Sequence, residues 1–170
     1  MPKLYNMQYG IYTINSEHEI PKKFIEDKYT FYVKINGNNI KDYHFSYMDI
    51  MQNALEFPIK DCVGNTDAFW DWITDLSWLR YGYESEDSGY QNIILVFTHW
   101  NKVGRRLFCS GKDLREKILK DFIGEKKGSY GALQWLACDD SDDFYFIDGR
   151  HSLTCEYEPA FRVFNIYLIP

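Results

Sequence analysis

Apolar positions along this chain fall into strand-like and helix-like runs, and the changes between them lay out its elements. Tyr29–Ile35 (YTFYVKI) is rich in β-branched and aromatic residues and ends at Asn36-Gly37, a turn dipeptide, so it is the first strong strand. Gln8–Asn15 (QYGIYTIN) is strand-like before it, with a polar break at Ser16–Glu19. Tyr47, Ile50, Met51, Ala54 and Leu55 then keep helical spacing to about Phe57, with Ser46 as N-cap and Pro58 marking the end. A second helix is expected over Gly64–Leu79. Gln91–Phe97 (QNIILVF) has the continuous apolar run of a central strand covered on both faces. Leu114, Ile118, Leu119, Phe122 and Ile123 form one stripe of a helix from Asp113 to about Lys126, closed by Gly128. Phe161–Ile169 is strongly strand-forming again.

Strand, helix, helix, strand, helix, strand is the order of an α/β domain with a small parallel sheet. At 170 residues the chain suits a single domain with a sizeable core. Residues 1–28 read as an N-terminal extension. Ala132–Cys138, Phe144–Ile147 and His151–Glu156 alternate like strands, and Asp148-Gly149 is a favoured hairpin turn. About 131–159 is therefore expected to be an inserted antiparallel β meander at the sheet's edge or on one side of it, for which shielding an edge strand is the plainest purpose.

Composition narrows the class. A hydrophobic content of 45% argues for a folded globule, and a net charge of −6 disfavours direct nucleic-acid binding, which needs clustered Lys and Arg. A basic protein partner suits that charge better. Cys62, Cys109, Cys138 and Cys155 show no C-x-x-C spacing, so free thiols in a reducing cytosol are expected. Met1–Asn6 has no apolar core of a signal peptide, and no stretch approaches the roughly 18 apolar residues of a membrane span. A cytoplasmic protein is expected.

The helix over Gly64–Leu79 has two unlike faces. At about 100° per residue, Phe69, Trp72, Ile73 and Leu76 share one side, and Asp67, Trp70, Asp71 and Thr74 the other. The first set is a core face. The second places like charges at i and i+4, which repel by about 0.2–0.5 kcal/mol, beside an indole that forgoes burial. Asn65 suits the N-cap, and Asp67 gains from the helix dipole in the first turn. Asp71 lies beyond that turn with Asp75, not a cation, four residues on. Folding makes no demand for this face, so a partner is its natural explanation.

The same stretch, Asn65-x-Asp67-Ala68-Phe69-Trp70-Asp71, preceded by Pro58 and followed by Thr74-Asp75-Leu76-Ser77-Trp78-Leu79, resembles the signature of barstar-like proteins, intracellular inhibitors of secreted ribonucleases. The resemblance implies a three-stranded parallel sheet packed with helices, with Phe31–Ile35, Ile93–Phe97 and Val163–Leu168 as its strands. It also implies an immunity protein that plugs the basic active site of a cognate toxin, as a monomer or one-to-one complex. Asp71 and Asp67 would be the principal contacts, with Trp70, Asn65, Gly64, Thr74 and Asp61 around them. The loop departs from the family's pattern: Gly64 adjoins Asn65, and Lys60 and Asp61 occupy the approach. A further acidic contributor on the family's second binding helix would be Glu116, Asp121 or Glu125.

Catalysis finds little support. His18, His44, His99 and His151 are scattered without zinc spacing, and there is no G-x-S-x-G or phosphate-binding Gly-Lys-Ser/Thr run. No cofactor and no metal are expected. Asp139-Asp140-Ser141-Asp142-Asp143 and Glu84-Ser85-Glu86-Asp87 read as solvated turns. Two alternatives stand beside the inhibitor: a regulatory module for a basic protein that is not a nuclease, and a small enzyme using Cys109 or Cys62.

Overall fold

The run Ile93–Phe97 is buried throughout and forms the interior of strand β3 (Asn92–Thr98), an inner strand of the sheet in the computed structural model, which describes residues 5–81, 89–124, 131–138, 150–155 and 159–170. Strands β2 (Thr30–Asn36) and β5 (Val163–Leu168) flank it in parallel, as a run covered on both faces requires. These are the three expected strands. Two more extend the sheet: β1 (Tyr5–Thr13) pairs in parallel with β5, and β4 (Arg150–Cys155) pairs antiparallel with β1, for an order β2-β3-β5-β1-β4. The N-terminal stretch thus lies within the sheet. Tyr9 anchors it, fully buried, with its hydroxyl donating to the Phe161 carbonyl at 2.8 Å.

Alternation along the strands divides the core. Ile94, Val96 and Tyr167 meet Ile20 and Phe24, the latter on helix α1 (Lys22–Glu26), on one face. Ile93, Leu95, Phe97, Phe164 and Ile166 point to the other, larger core. Over it pack α2 (Met48–Ala54), α3 (Thr66–Asp75), α4 (Ser77–Tyr81), α5 (Lys112–Ile123) and α6 (Ala132–Cys138).

Three expectations are corrected. Ala132–Cys138 is helix α6, not the first strand of a meander: Ala132, Leu133, Leu136 and Ala137 are buried at helical spacing, a pattern short enough to be mistaken for alternation. The segment expected as the meander's last strand is a strand, β4, and pairs antiparallel with β1; Phe144–Ile147 and Asp148-Gly149 lie outside the described residues. Helix α5 closes at Gly124, whose φ of +79° and N–H to the Lys120 carbonyl (2.8 Å) end the helix before Gly128. Finally, the chain enters α2 through a π-helical turn, Tyr43–Tyr47, capped by Asp42, whose carboxylate accepts from the N–H groups of Phe45 (2.7 Å) and Ser46 (3.3 Å). Ser46 is not the cap; its hydroxyl oxygen accepts from the Lys41 and Asp42 amides at 2.8 and 3.0 Å.

Candidate functional site

Helix α3 begins where the sequence places it, but the single helix expected over Gly64–Leu79 breaks at Leu76, whose φ of +48° divides α3 from α4. Asn65 is extended and its side-chain oxygen accepts from the Ala68 N–H at 3.1 Å, satisfying one of the first-turn amides. Phe69 and Ile73 are buried, and buried Leu76 ends the helix in the left-handed region. Trp72 stays half-buried, with its indole N–H donating to Asp61 at 3.4 Å. On the opposite side, Asp67 and Asp71 are exposed, and neither carboxylate has an ion pair or hydrogen bond with any described residue. Trp70, on the same helix between Asp67 and Asp71, is half-buried and packs in part against the core. The Thr74 hydroxyl donates back to the Trp70 carbonyl at 2.8 Å and so is spent inside the helix.

The preceding loop is pinned where it enters the helix. Gly64 has a φ of +74°, which favours glycine, and its N–H donates to the His44 carbonyl at 2.8 Å; the Asn65 N–H donates to the Cys62 carbonyl at 2.8 Å. Cys62 is buried, its thiol 3.0 Å from the Gln52 side-chain oxygen, and burial pushes that thiol up to about 11. Burial of this kind disfavours the thiolate. Lys60 turns away from the helix to Asn53 at 2.7 Å. The structure therefore brings Gly64, Asn65, Asp67, Trp70 and Asp71 onto one surface, with Asp61 and Thr74 nearby but bonded internally.

Of the three candidate acids, Asp121 is tied to Tyr43, whose ring packs against Phe69 of α3. Glu116 pairs with Lys112 at 3.7 Å, and Glu125 lies outside the described residues. Asp121 accepts from the Tyr43 hydroxyl at 2.7 Å, and Lys117 lies 4.0 Å above the Tyr43 ring. Burial raises the Asp121 carboxyl to about 6, against the opposing pull of Tyr43 and Lys117, and burial with the Asp121 charge also lifts the Tyr43 and Tyr47 hydroxyls. Between the ordinary 3.8 and about 6, the folded protein holds a proton that the unfolded chain has lost. Stability therefore falls as pH rises through that window and stays lower above it. Asp121→Asn keeps an acceptor for Tyr43 and removes the charge. Urea unfolding is expected to show this variant gaining about 2 kcal/mol more over wild type at pH 7.5 than at pH 4.5.

Away from α3, the most exposed large apolar groups among the described residues are Leu107 (91% exposed) and Phe108 (93%), at the tip of a turn closed by paired Arg106–Cys109 backbone bonds of 3.1 Å. Among the described residues there is no cluster of metal-ligating side chains, and no helix is long and apolar enough to cross a membrane.

Compared with known families, residues 30–120 match the model described as Barstar (barnase inhibitor), a span of just over half the chain that holds β2, β3, the loop, α3 and most of α5. No curated protein and no solved structure matches it.

Proposed function

The chain belongs to the barstar family, and from that premise we propose that it is an immunity protein, made to block the active site of one cognate ribonuclease toxin inside the cell that produces it. One observation carries the reading: Asp67 and Asp71 stand one turn apart on an exposed helical face, without an internal partner among the described residues, beside a half-exposed Trp70. A ribonuclease cleft holds cationic groups spaced for phosphate. Carboxylates on a rigid helix offer comparable charge with no bond to cleave, and the cleft's Arg or His binds them through charge-assisted hydrogen bonds. Trp70 excludes water from those bonds, and Asn65 with Gly64 fixes the loop against the cleft's rim. The complex is one-to-one, and the inhibitor performs no chemistry. Residues 1–28 and about 131–159, which supply β1, α6 and β4, elaborate a single barstar-type domain.

The test is titration of the chain into a panel of secreted ribonucleases, barnase included, with RNA hydrolysis as readout. Inhibition reaching completion at one equivalent is expected for at least one enzyme. Unaffected hydrolysis across the panel, with no complex by calorimetry, overturns the reading.

A further inference from the structure

We infer that Phe45, outside α3, is the apolar anchor of the same binding surface, and that it seats in the base-stacking recess of the ribonuclease whose phosphate-binding groups meet Asp67 and Asp71. The inference rests on the inhibitory role proposed for α3.

Phe45 is 65% exposed, although its neighbours Tyr43 and Tyr47 in the same π-helical turn are buried. Folding makes little use of its ring. Its backbone is nevertheless held firmly: the Phe45 N–H donates to Asp42 at 2.7 Å, and the Ser46 hydroxyl ties down the amides of Lys41 and Asp42. The turn is in turn fastened to the loop before α3 by the bond from the Gly64 N–H to the His44 carbonyl. The ring lies over that loop, with an edge carbon 3.9 Å from where a side chain on Gly64 would begin. Exposed Val63 adjoins the same spot. An exposed aromatic on a fastened backbone thus stands beside Gly64, in the loop that leads through Asn65 into the acidic helix.

Two exposed carboxylates alone make a wet contact of modest strength, whereas interface energy concentrates in aromatic anchors ringed by contacts that exclude water. The enzyme's chemistry supplies the recess. A protein that grips single-stranded RNA stacks bases on apolar or aromatic surfaces beside the groups that take phosphate. A ring beside carboxylates matches that pair in kind and in adjacency.

Binding kinetics test this on the full chain and a ribonuclease that it inhibits. Phe45→Ala is expected to raise koff about 10- to 100-fold, with an unchanged melting temperature and an unchanged salt dependence of kon. Phe45→Tyr, which keeps a flat ring, is expected to restore most of the residence time. If Asp71→Ala weakens the complex and Phe45→Ala does not, the role of Phe45 is overturned while the acidic helix stands. If neither variant weakens it, both fall.

Discussion

Replacing Asp71 by Ala is expected to weaken the complex with the target ribonuclease by about 2–5 kcal/mol, roughly 30- to 5,000-fold in Kd. The barnase–barstar interface is itself one of the complexes on which such magnitudes were established, so the range is the family's own scale. Much of the loss arises on the enzyme, where a cleft cation is left desolvated without a counter-charge. The inhibitor's own stability should move the other way. Asp71 is exposed and bonds to no described residue through its carboxylate, and it stands one turn from both Asp67 and Asp75. Removing it relieves like-charge repulsion by a few tenths of a kcal/mol. Asp67→Ala should lose less affinity and gain no stability, because Asp67 sits in the first turn where the helix dipole favours a negative charge. Calorimetric titration and urea unfolding of the two variants check both signs. An Asp71→Ala protein that folds normally and binds undiminished sinks the assignment.

The parts of this molecule legible in its sequence are those whose pattern has a single physical solution. Ile93–Phe97 is apolar at every position, which suits a strand with helices on both sides. In α3, Asn65 supplies a cap, Phe69 and Ile73 a core stripe, and Asp67 and Asp71 a face that folding did not need. Readings failed where a short segment fits two periods or where the decisive partner is distant in the chain. Ala132–Cys138 spans only two turns, and its burial is decided by α3 and α5. Gln8–Asn15 is legible as a strand, but its place between β5 and β4 depends on partners more than a hundred residues away. Ser46 looked like a cap because the helical stripe begins beside it, whereas Asp42 takes the role through an extra turn with π spacing. The exposure of Phe45 follows from that turn. The available signal was its absence from the stripe of Tyr47, Met51 and Leu55. For Trp72 the core face was correctly assigned, but its bond to Asp61 was not foreseeable, because it links a loop to a helix eleven residues on.

Phe69→Ala is expected to cost about 3–5 kcal/mol of folding stability while leaving the contacts made by the folded molecule intact. Phe69 is 1% exposed and lies on the side of α3 opposite Asp67 and Asp71. Its ring centroid is 5.6 Å from that of Tyr47, 6.2 Å from Phe57 and 6.4 Å from Tyr43. Truncation removes the transfer energy of the ring and leaves a cavity among large, well-ordered rings that cannot collapse cheaply into it. The Tyr47 hydroxyl, already buried without a hydrogen-bond partner among the described residues, gains none from the change. The prediction therefore separates two variables on one helix. In urea, the Phe69→Ala midpoint should fall sharply, whereas Asp71→Ala should match or exceed wild type. In ribonuclease titration at low temperature, where Phe69→Ala remains folded, its affinity should stay within a few-fold of wild type, whereas that of Asp71→Ala collapses. If Phe69→Ala loses affinity as completely as Asp71→Ala while its near-ultraviolet circular dichroism stays native, the division of α3 into a structural face and a binding face is wrong.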